Sequence, residues 1–169
     1  MKHILNSSGI LRFPDAQMDM VRLGIGLYGI GTDEKEQQHL QNVSTLKTII
    51  SQIKNIQAGD TIGYSRKGKA TKNMQIATVP IGYADGLSRK LSNGAGKMFV
   101  RGKEAAIVGN VCMDMCMIDV TNLGANENDE VIVFGENYTV SQIAKDIRTI
   151  PYEVLTNVSR RVKRVYFQE

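Results

Sequence analysis

Apolar positions along the chain fall into two textures. Over residues 3–31, HILNSSGILRFPDAQMDMVRLGIGLYGIG, they come in short groups broken by glycine and isolated charges. Residues 3–5 predict a short extended piece ending in the turn cluster Asn6-Ser7-Ser8-Gly9. Residues 15–23 predict a helix entered after Pro14, and the apolar run 25–30, closed by Gly31, predicts a strand. Such alternation is α/β in character. Residues 32–42, TDEKEQQHLQN, have Leu40 as their one apolar residue and predict a linker. A domain boundary is therefore placed here, with residues 1–38 on one side and 39–169 on the other.

Beyond Asn42 the pattern changes to short β-branched runs punctuated by glycine: GDTIGY, MQIATVPIGYADG, KMFVRGKEAAIVGNV, CMDMCMIDVTNLG and DEVIVFG. Their spacing predicts a mainly β, barrel-like or sandwich domain. Residues 45–56 are ambiguous, because Leu46, Ile49, Ile50 and Ile53 follow helical spacing while the Thr and Ile content favours strand. Near the end, Val140, Ile143, Ala144 and Ile147 recur at helical spacing, and Pro151 stands where a first-turn proline is tolerated. One or two short helices are expected there, followed by a basic final strand over residues 160–167.

Composition narrows the class without naming a chemistry. With 169 residues, 42% of them apolar and 22% charged, the chain is globular, and no apolar run reaches the ~18 residues of a membrane span. No secretory signal is evident, so a cytoplasmic location without membrane association is expected. The net charge of +4 raises nucleic-acid binding as a question. The basic clusters at Arg66, Lys67, Lys69 and Lys72 and at Arg160, Arg161, Lys163 and Arg164 read as solvated faces. Cys112 and Cys116 are too few for a disulfide framework or a zinc site and read as free thiols, and His3 and His39 are too far apart in sequence to suggest a metal pair.

Neither a G-x-x-x-x-G-K-[ST] P-loop nor a G-x-S-x-G elbow is present. Polar residues set in apolar surroundings remain as candidates. Arg22 lies between Met20-Val21 and Leu23-Gly24-Ile25, Tyr64 within Ile62-Gly63-Tyr64-Ser65-Arg66, Asp85 in the turn Gly82-Tyr83-Ala84-Asp85-Gly86, and Asp114 within an apolar run. Each also has a structural reading: an ion pair for Arg22, strand packing for Tyr64, a local turn bond for Asp85 and a buried hydrogen bond for Asp114.

Taken in order, five groups of residues carry a resemblance. They are His3 to Gly9 with Arg12-Phe13-Pro14 and Asp19 to Gly29; Ile62-Gly63-Tyr64-Ser65; Ile81 to Gly86 with Arg89 and Leu91; Val108 to Met115; and Tyr152-Glu153-Val154 followed by Arg161 to Tyr166. Together they resemble the alanine racemase family from end to end. The resemblance implies the last β/α segment of a pyridoxal-phosphate-binding (β/α)8 barrel followed by the family's C-terminal β-domain, and it resolves residues 45–56 as strand. It also implies interconversion of L- and D-alanine, which supplies D-alanine for peptidoglycan, in a homodimer whose active sites draw on both subunits.

Residue by residue, the resemblance makes Arg22 the donor to the cofactor's ring nitrogen. It places Ser7, Gly24, Ile25 and Tyr152 around the cofactor phosphate. Tyr64 becomes the catalytic tyrosine that serves one face of the substrate across the dimer interface. Phenols ionise near pH ~10, so a tyrosine base at neutral pH needs neighbouring cations. Met113 offers a backbone N–H to the substrate carboxylate, Tyr83 and Arg89 belong to a narrow entrance, and Asp114 supports the same loop. Asn110 stands where many members carry arginine. No segment resembles the motif of the lysine that holds the cofactor covalently, and Lys2 and Lys35 have the wrong surroundings. A C-terminal portion, inactive alone, is therefore expected. The competing reading is a non-catalytic basic β-domain that docks nucleic acid or a protein partner.

Overall fold

The computed structural model of the chain describes residues 1–167. It divides into two compact units, one from Met1 to Thr45 and one beginning at Leu46. Each is built around its own apolar cluster.

In the first unit, Asn6 caps helix α1 (Ser7–Arg12), its side chain accepting the Gly9 N–H at 3.1 Å. The cluster expected as a turn is thus a helix start. The expected helix over residues 15–23 is instead a single 3-10 turn, Pro14–Ala16, since Met18 takes a left-handed φ of 53° that a helix cannot continue through. The expected strand over residues 25–30 is also a 3-10 turn, Ile25–Tyr28. It closes at Gly29, where φ is 72° and a Cβ would run into the Gln41 carbonyl oxygen, so the site admits only glycine. The only β pairing in this unit is an isolated bridge between Asn6 and Arg22. Gly24, Gly26 and Gly29 have the spacing of a dinucleotide fingerprint, but they open a 3-10 turn with no preceding strand and lack that motif's context.

The polar stretch read as a linker is folded. Asp33 caps helix α2 (Glu34–Gln37), and Glu36, 6% exposed, accepts bonds from the Thr32 N–H at 2.8 Å and from Arg12 Nε at 3.1 Å. Bonds from the Thr32 hydroxyl and N–H, strengthened by Arg12, hold the Glu36 carboxyl below its ordinary range against burial.

The second unit is a β-domain. Its seven-stranded antiparallel sheet runs in the order β1 (Leu46–Ile49), β9 (Glu130–Phe134), β6 (Lys97–Val100), β7 (Lys103–Val108), β8 (Cys116–Asp119), β5 (Met74–Val79), β2 (Gln52–Ile56). Strands β1 and β2 lie at opposite ends of that order, yet only Ile50 and Ser51 separate them. Laid flat at about 4.8 Å per strand, the edges would stand about 29 Å apart. Three Cα–Cα steps reach at most roughly 11 Å, so the sheet curls into a half-barrel. The link reflects this, with Ile50 N–H bonded to Asp129 O at 3.0 Å and Ser51 N–H to Thr78 O at 2.9 Å. Residues 45–56 are thus strands, and their helical spacing is coincidental.

Alternate side chains fill the concave face. Ala77, Val79, Met98, Val100, Ala105, Ile107, Cys116, Ile118, Val131 and Val133 are almost wholly buried, each large one contributing ~1.5–3 kcal/mol. A separate hairpin pairs β3 (Thr61–Ile62) with β4 (Gly68–Lys69). Two helices close the unit as the spacing predicts: α3 (Val140–Asp146), capped by Thr139, and α4 (Pro151–Asn157), with Pro151 in its first turn. Between β9 and α3, buried Tyr138 donates its hydroxyl to Asp146, and Lys97 Nζ sits 5.5 Å from the ring centroid. The expected final strand is not formed, residues 163–167 being irregular and outside both sheets. Among the described residues no helix is long and apolar enough to cross a membrane.

Candidate functional site

Strand register gathers most of the candidate residues of the β-domain at one end of the sheet. Val79 pairs with Cys116 and Val108 with Met117, so three segments emerge side by side there: the turn after β5, the loop before β8 and the chain leaving β7. The β3–β4 hairpin joins them through glycines. A Cβ on Gly68 would lie 2.8 Å from Gly109 Cα, and one on Gly109 would lie 2.8 Å from Ile62 O.

Tyr64 sits on the connection of that hairpin and is 75% exposed. Around it Gly63, Ser65 and Arg66 all take left-handed φ values of 71°, 60° and 52°. Two successive non-glycine residues in that region store strain that the surroundings must hold in place. Asn110 does part of this, its Nδ2 donating to Tyr64 O at 3.2 Å while its Oδ1 accepts from Asn93 at 3.1 Å. The Tyr64 hydroxyl has no partner among the described residues.

Tyr83 begins the 3-10 turn Tyr83–Asp85. Its N–H bonds to Cys112 O and that of Ala84 to Met113 O, both at 3.0 Å. Cys112 N–H closes on Met115 O at 2.9 Å, leaving Met113 exposed at the tip with no acceptor for its own N–H among the described residues. Asp114 is not buried as its apolar surroundings suggest; it is exposed and accepts from Arg161 Nη2 at 2.6 Å. Arg161 Nε also meets Asp85 Oδ1 at 2.7 Å, and Asp85 Oδ2 accepts the Gly82 N–H at 2.8 Å. Burial alone would raise the Asp85 carboxyl, but Arg161 and Gly82 outweigh it and hold it below its usual range. Cys116 beneath the loop is fully buried, and burial, with Cys112 adding to it, pushes its thiol up to about 12.

Two candidates stand further from this network. Arg89, exposed, opens a 3-10 turn tied to Val111 through Ser92, whose Oγ donates to Arg89 O and accepts the Val111 N–H. Tyr152 lies exposed in the first turn of α4, and no hydrogen bond joins its side chain to the loops that carry Tyr64 or Met113.

In the first unit, Ser7 Oγ accepts the N–H groups of Gly24 at 2.8 Å and Gly26 at 3.3 Å. Ile25, between them, buries its side chain and leaves its N–H unbonded among the described residues. Arg22 is exposed and donates from Nη2 to Ile4 O at 3.0 Å. It has no carboxylate partner among the described residues, so it is not the ion pair its surroundings suggest.

Sequence reasoning missed Arg161. It stood inside a basic run read as a solvated face, yet it pairs with two carboxylates, and Arg164 of the same run donates to the carbonyls of Val158, Ser159 and Val162. The tether from Asn110 to Tyr64 was equally hidden. No local signal marks either contact.

Comparison with known proteins agrees along the whole chain. Alanine racemase 1 of Caldanaerobacter subterraneus subsp. tengcongensis is 43% identical over 176 residues, an alignment covering 100% of this chain and 45% of that protein. The solved alanine racemase of Clostridium difficile 630 superposes with a TM-score of 0.93 at 42% identity, over 99% of this chain and 45% of that one. The alanine racemase of Bartonella henselae, solved with covalently bound pyridoxal phosphate, gives 0.88 at 34% identity over 96% and 46%. The chain thus spans under half the length of the curated relatives it matches. The family model for the alanine racemase C-terminal domain matches residues 43–166 and that for the N-terminal domain residues 1–32, and the chain accordingly belongs to the alanine racemase family, as a C-terminal portion of its members.

Proposed function

We propose that this chain supplies the tyrosine face and the substrate-carboxylate donor of an alanine racemase, acting on L- and D-alanine within a homodimer. The exposure of Tyr64 on a strained, tethered turn carries this reading. A phenol without a partner among the described residues, flanked by left-handed backbone, is a costly way to make a loop and an apt way to present a proton-transfer group. The Met113 N–H, without an acceptor among the described residues and at the same end of the sheet, suits a carboxylate. Tyr83 and Arg89 flank that end, and their size and charge fit a narrow mouth for a small zwitterion.

Pyridoxal phosphate, when bound, supplies the electron sink that makes an amino acid Cα–H acidic. The residues of the first unit fit it. Ser7 already gathers Gly24 and Gly26 and keeps its own hydroxyl proton to donate, and Ile25 N–H is free for a phosphate oxygen. Arg22 retains donors beyond the one given to Ile4, and, lacking a carboxylate, it can turn a guanidinium N–H toward a ring nitrogen. An arginine there keeps that nitrogen unprotonated and limits side reactions. Tyr152 is assigned to the phosphate by family resemblance alone. As a phenolate, Tyr64 takes the Cα proton of one enantiomer and becomes the phenol; in the reverse direction the phenol gives a proton back to Cα, while a base from outside this chain serves the other face.

The test joins this chain to the upstream, lysine-bearing portion of a relative. Cofactor-dependent racemisation is expected, and Tyr64→Phe should suppress it together with deuterium exchange at Cα of one enantiomer. Unaltered exchange of both enantiomers in that variant would remove Tyr64 from the reaction. The 169-residue polypeptide by itself should neither racemise alanine nor show a cofactor band that borohydride fixes onto one of its lysines.

A further inference from the structure

We infer that Arg161 is a positioning residue for the substrate carboxylate, clamping the turn that carries Tyr83 to the loop that carries the Met113 N–H. The inference rests on the function proposed above. Three stretches distant in sequence meet at this guanidinium: Gly82–Asp85, Cys112–Met115 and the segment after α4. Nε bonds Asp85 Oδ1 at 2.7 Å and Nη2 bonds Asp114 Oδ1 at 2.6 Å. The third stretch is itself fixed, with Ser159 N–H bonded to Asp85 O at 3.0 Å, and Gly86 lies so close to Asn157 O that a Cβ there would overlap it.

The clamp acts through Asp114, the residue next to Met113. Without it, the peptides flanking Met113 are held by neutral backbone bonds from Tyr83 and Ala84 and by the turn bond within the loop. The charged bridge adds two short, charge-assisted bonds and pins the loop whose Met113 N–H has no acceptor among the described residues. The planar fork presents Nε and Nη2 to the two carboxylates at a fixed spacing, whereas a lysine ammonium carries its three donors on one nitrogen at the end of a flexible stem and lacks that geometry.

The kinetic consequence is specific. A substrate carboxylate keeps its charge throughout a proton transfer at Cα, so a donor to it binds ground state and transition state alike. Misplacing that donor raises KM and leaves kcat nearly unchanged, whereas a loss of folded protein lowers apparent kcat at constant KM.

Two measurements test this. In the 169-residue chain, amide exchange at Tyr83 and Ala84 should quicken about tenfold in Arg161→Met, the scale of a lost bond to a charged group, while Ile107 and Ile118 in the sheet stay protected. In the holoenzyme completed upstream, KM for both alanine enantiomers should rise about tenfold with kcat within about threefold. Asp114→Asn, an isosteric change at an exposed site, should do the same, and the double variant no more, as expected of one shared interaction. Arg161→Lys should recover only part. Unchanged exchange in Arg161→Met overturns the clamp. Faster exchange with an unchanged KM overturns its role in substrate binding and leaves a structural ion pair. No racemisation by the wild-type holoenzyme overturns the proposed function, and the exchange rates, which need no activity, still decide the clamp.

Discussion

Gly82→Ala isolates the close approach on which the site end of the β-domain depends. Gly82 has φ −146° and ψ −165°, extended backbone open to any residue, so its identity is set by space alone. A Cβ there would overlap the carbonyl oxygens of both Cys112 and Met113. These are the acceptors of the Tyr83 and Ala84 N–H groups at 3.0 Å. Displacing them loses two neutral backbone bonds at ~1 kcal/mol each net and adds overpacking of ~1–3 kcal/mol. The sum, about 3–5 kcal/mol, is a large part of the ~5–15 kcal/mol that holds a domain together. In urea unfolding followed by circular dichroism, at a slope of about 2 kcal/mol per M, the midpoint should fall by roughly 1.5–2.5 M. Gly94→Ala is the control: φ is +85° and no atom lies within 4 Å of its Cβ, so only conformational strain of ~1 kcal/mol applies. A midpoint for Gly82→Ala no lower than that of Gly94→Ala would refute the steric argument and the loop contact beneath it.

Two further outcomes follow from the same end of the sheet. Cys116 is fully buried with its thiol pushed up to about 12, so iodoacetamide at pH 8 should leave it unmodified in the native chain and alkylate it in urea, as mass spectrometry of the peptides will read; rapid native labelling would contradict the burial. Asp85 is held below its ordinary 3.8 by Arg161 and Gly82, so its stabilising contribution is complete above about pH 4 and is lost as pH falls through the lowered folded value. The Gly82 amide signal should titrate with a midpoint below 3.8, and Arg161→Met should move that midpoint up; a wild-type midpoint at or above 3.8 would show that the clamp is not formed.

How far the sequence reveals this molecule depends on the range of the forces involved. The β texture after Asn42 and the helices α3 and α4 were legible because alternation and i, i+3, i+4 spacing are local imprints of burial, and Thr139 and Pro151 mark the helix starts. Residues 45–56 are ambiguous by periodicity, and strand only by resemblance, because a single run crosses between the two edges of a curled sheet. Ile49 and Ile50 are neighbours in sequence, yet Ile50 is wholly buried and Ile49 is 46% exposed, and adjacent inward and outward residues mimic a helical stripe. The first unit misled for another reason. Its apolar residues are organised by side chains acting on backbone, with the Ser7 hydroxyl collecting two glycine N–H groups and Glu36 satisfying Thr32, and hydrophobic periodicity records none of this.

The candidate site divides along the same line. Tyr64 and Asp114 stand out as polar residues in apolar surroundings, and Tyr83 and Met113 are candidates through the family resemblance of their motifs. What holds their turns together could not be read this way. The partners of Arg161 lie 76 and 47 residues away, and the acceptor of Asn110 lies 46 residues away. A charge run counted along the chain has no access to such distances, so Arg161 among Arg160, Lys163 and Arg164 looks like one more solvated cation. Net charge is equally blind to placement, because it counts ions without regard to which of them are paired. Arg12 is paired with Asp33 and Glu36, Arg161 with Asp85 and Asp114, and Arg164 with backbone carbonyls. The pairs of Arg161 hold two loops at a fixed spacing, with the Met113 N–H on one of them left without an acceptor among the described residues.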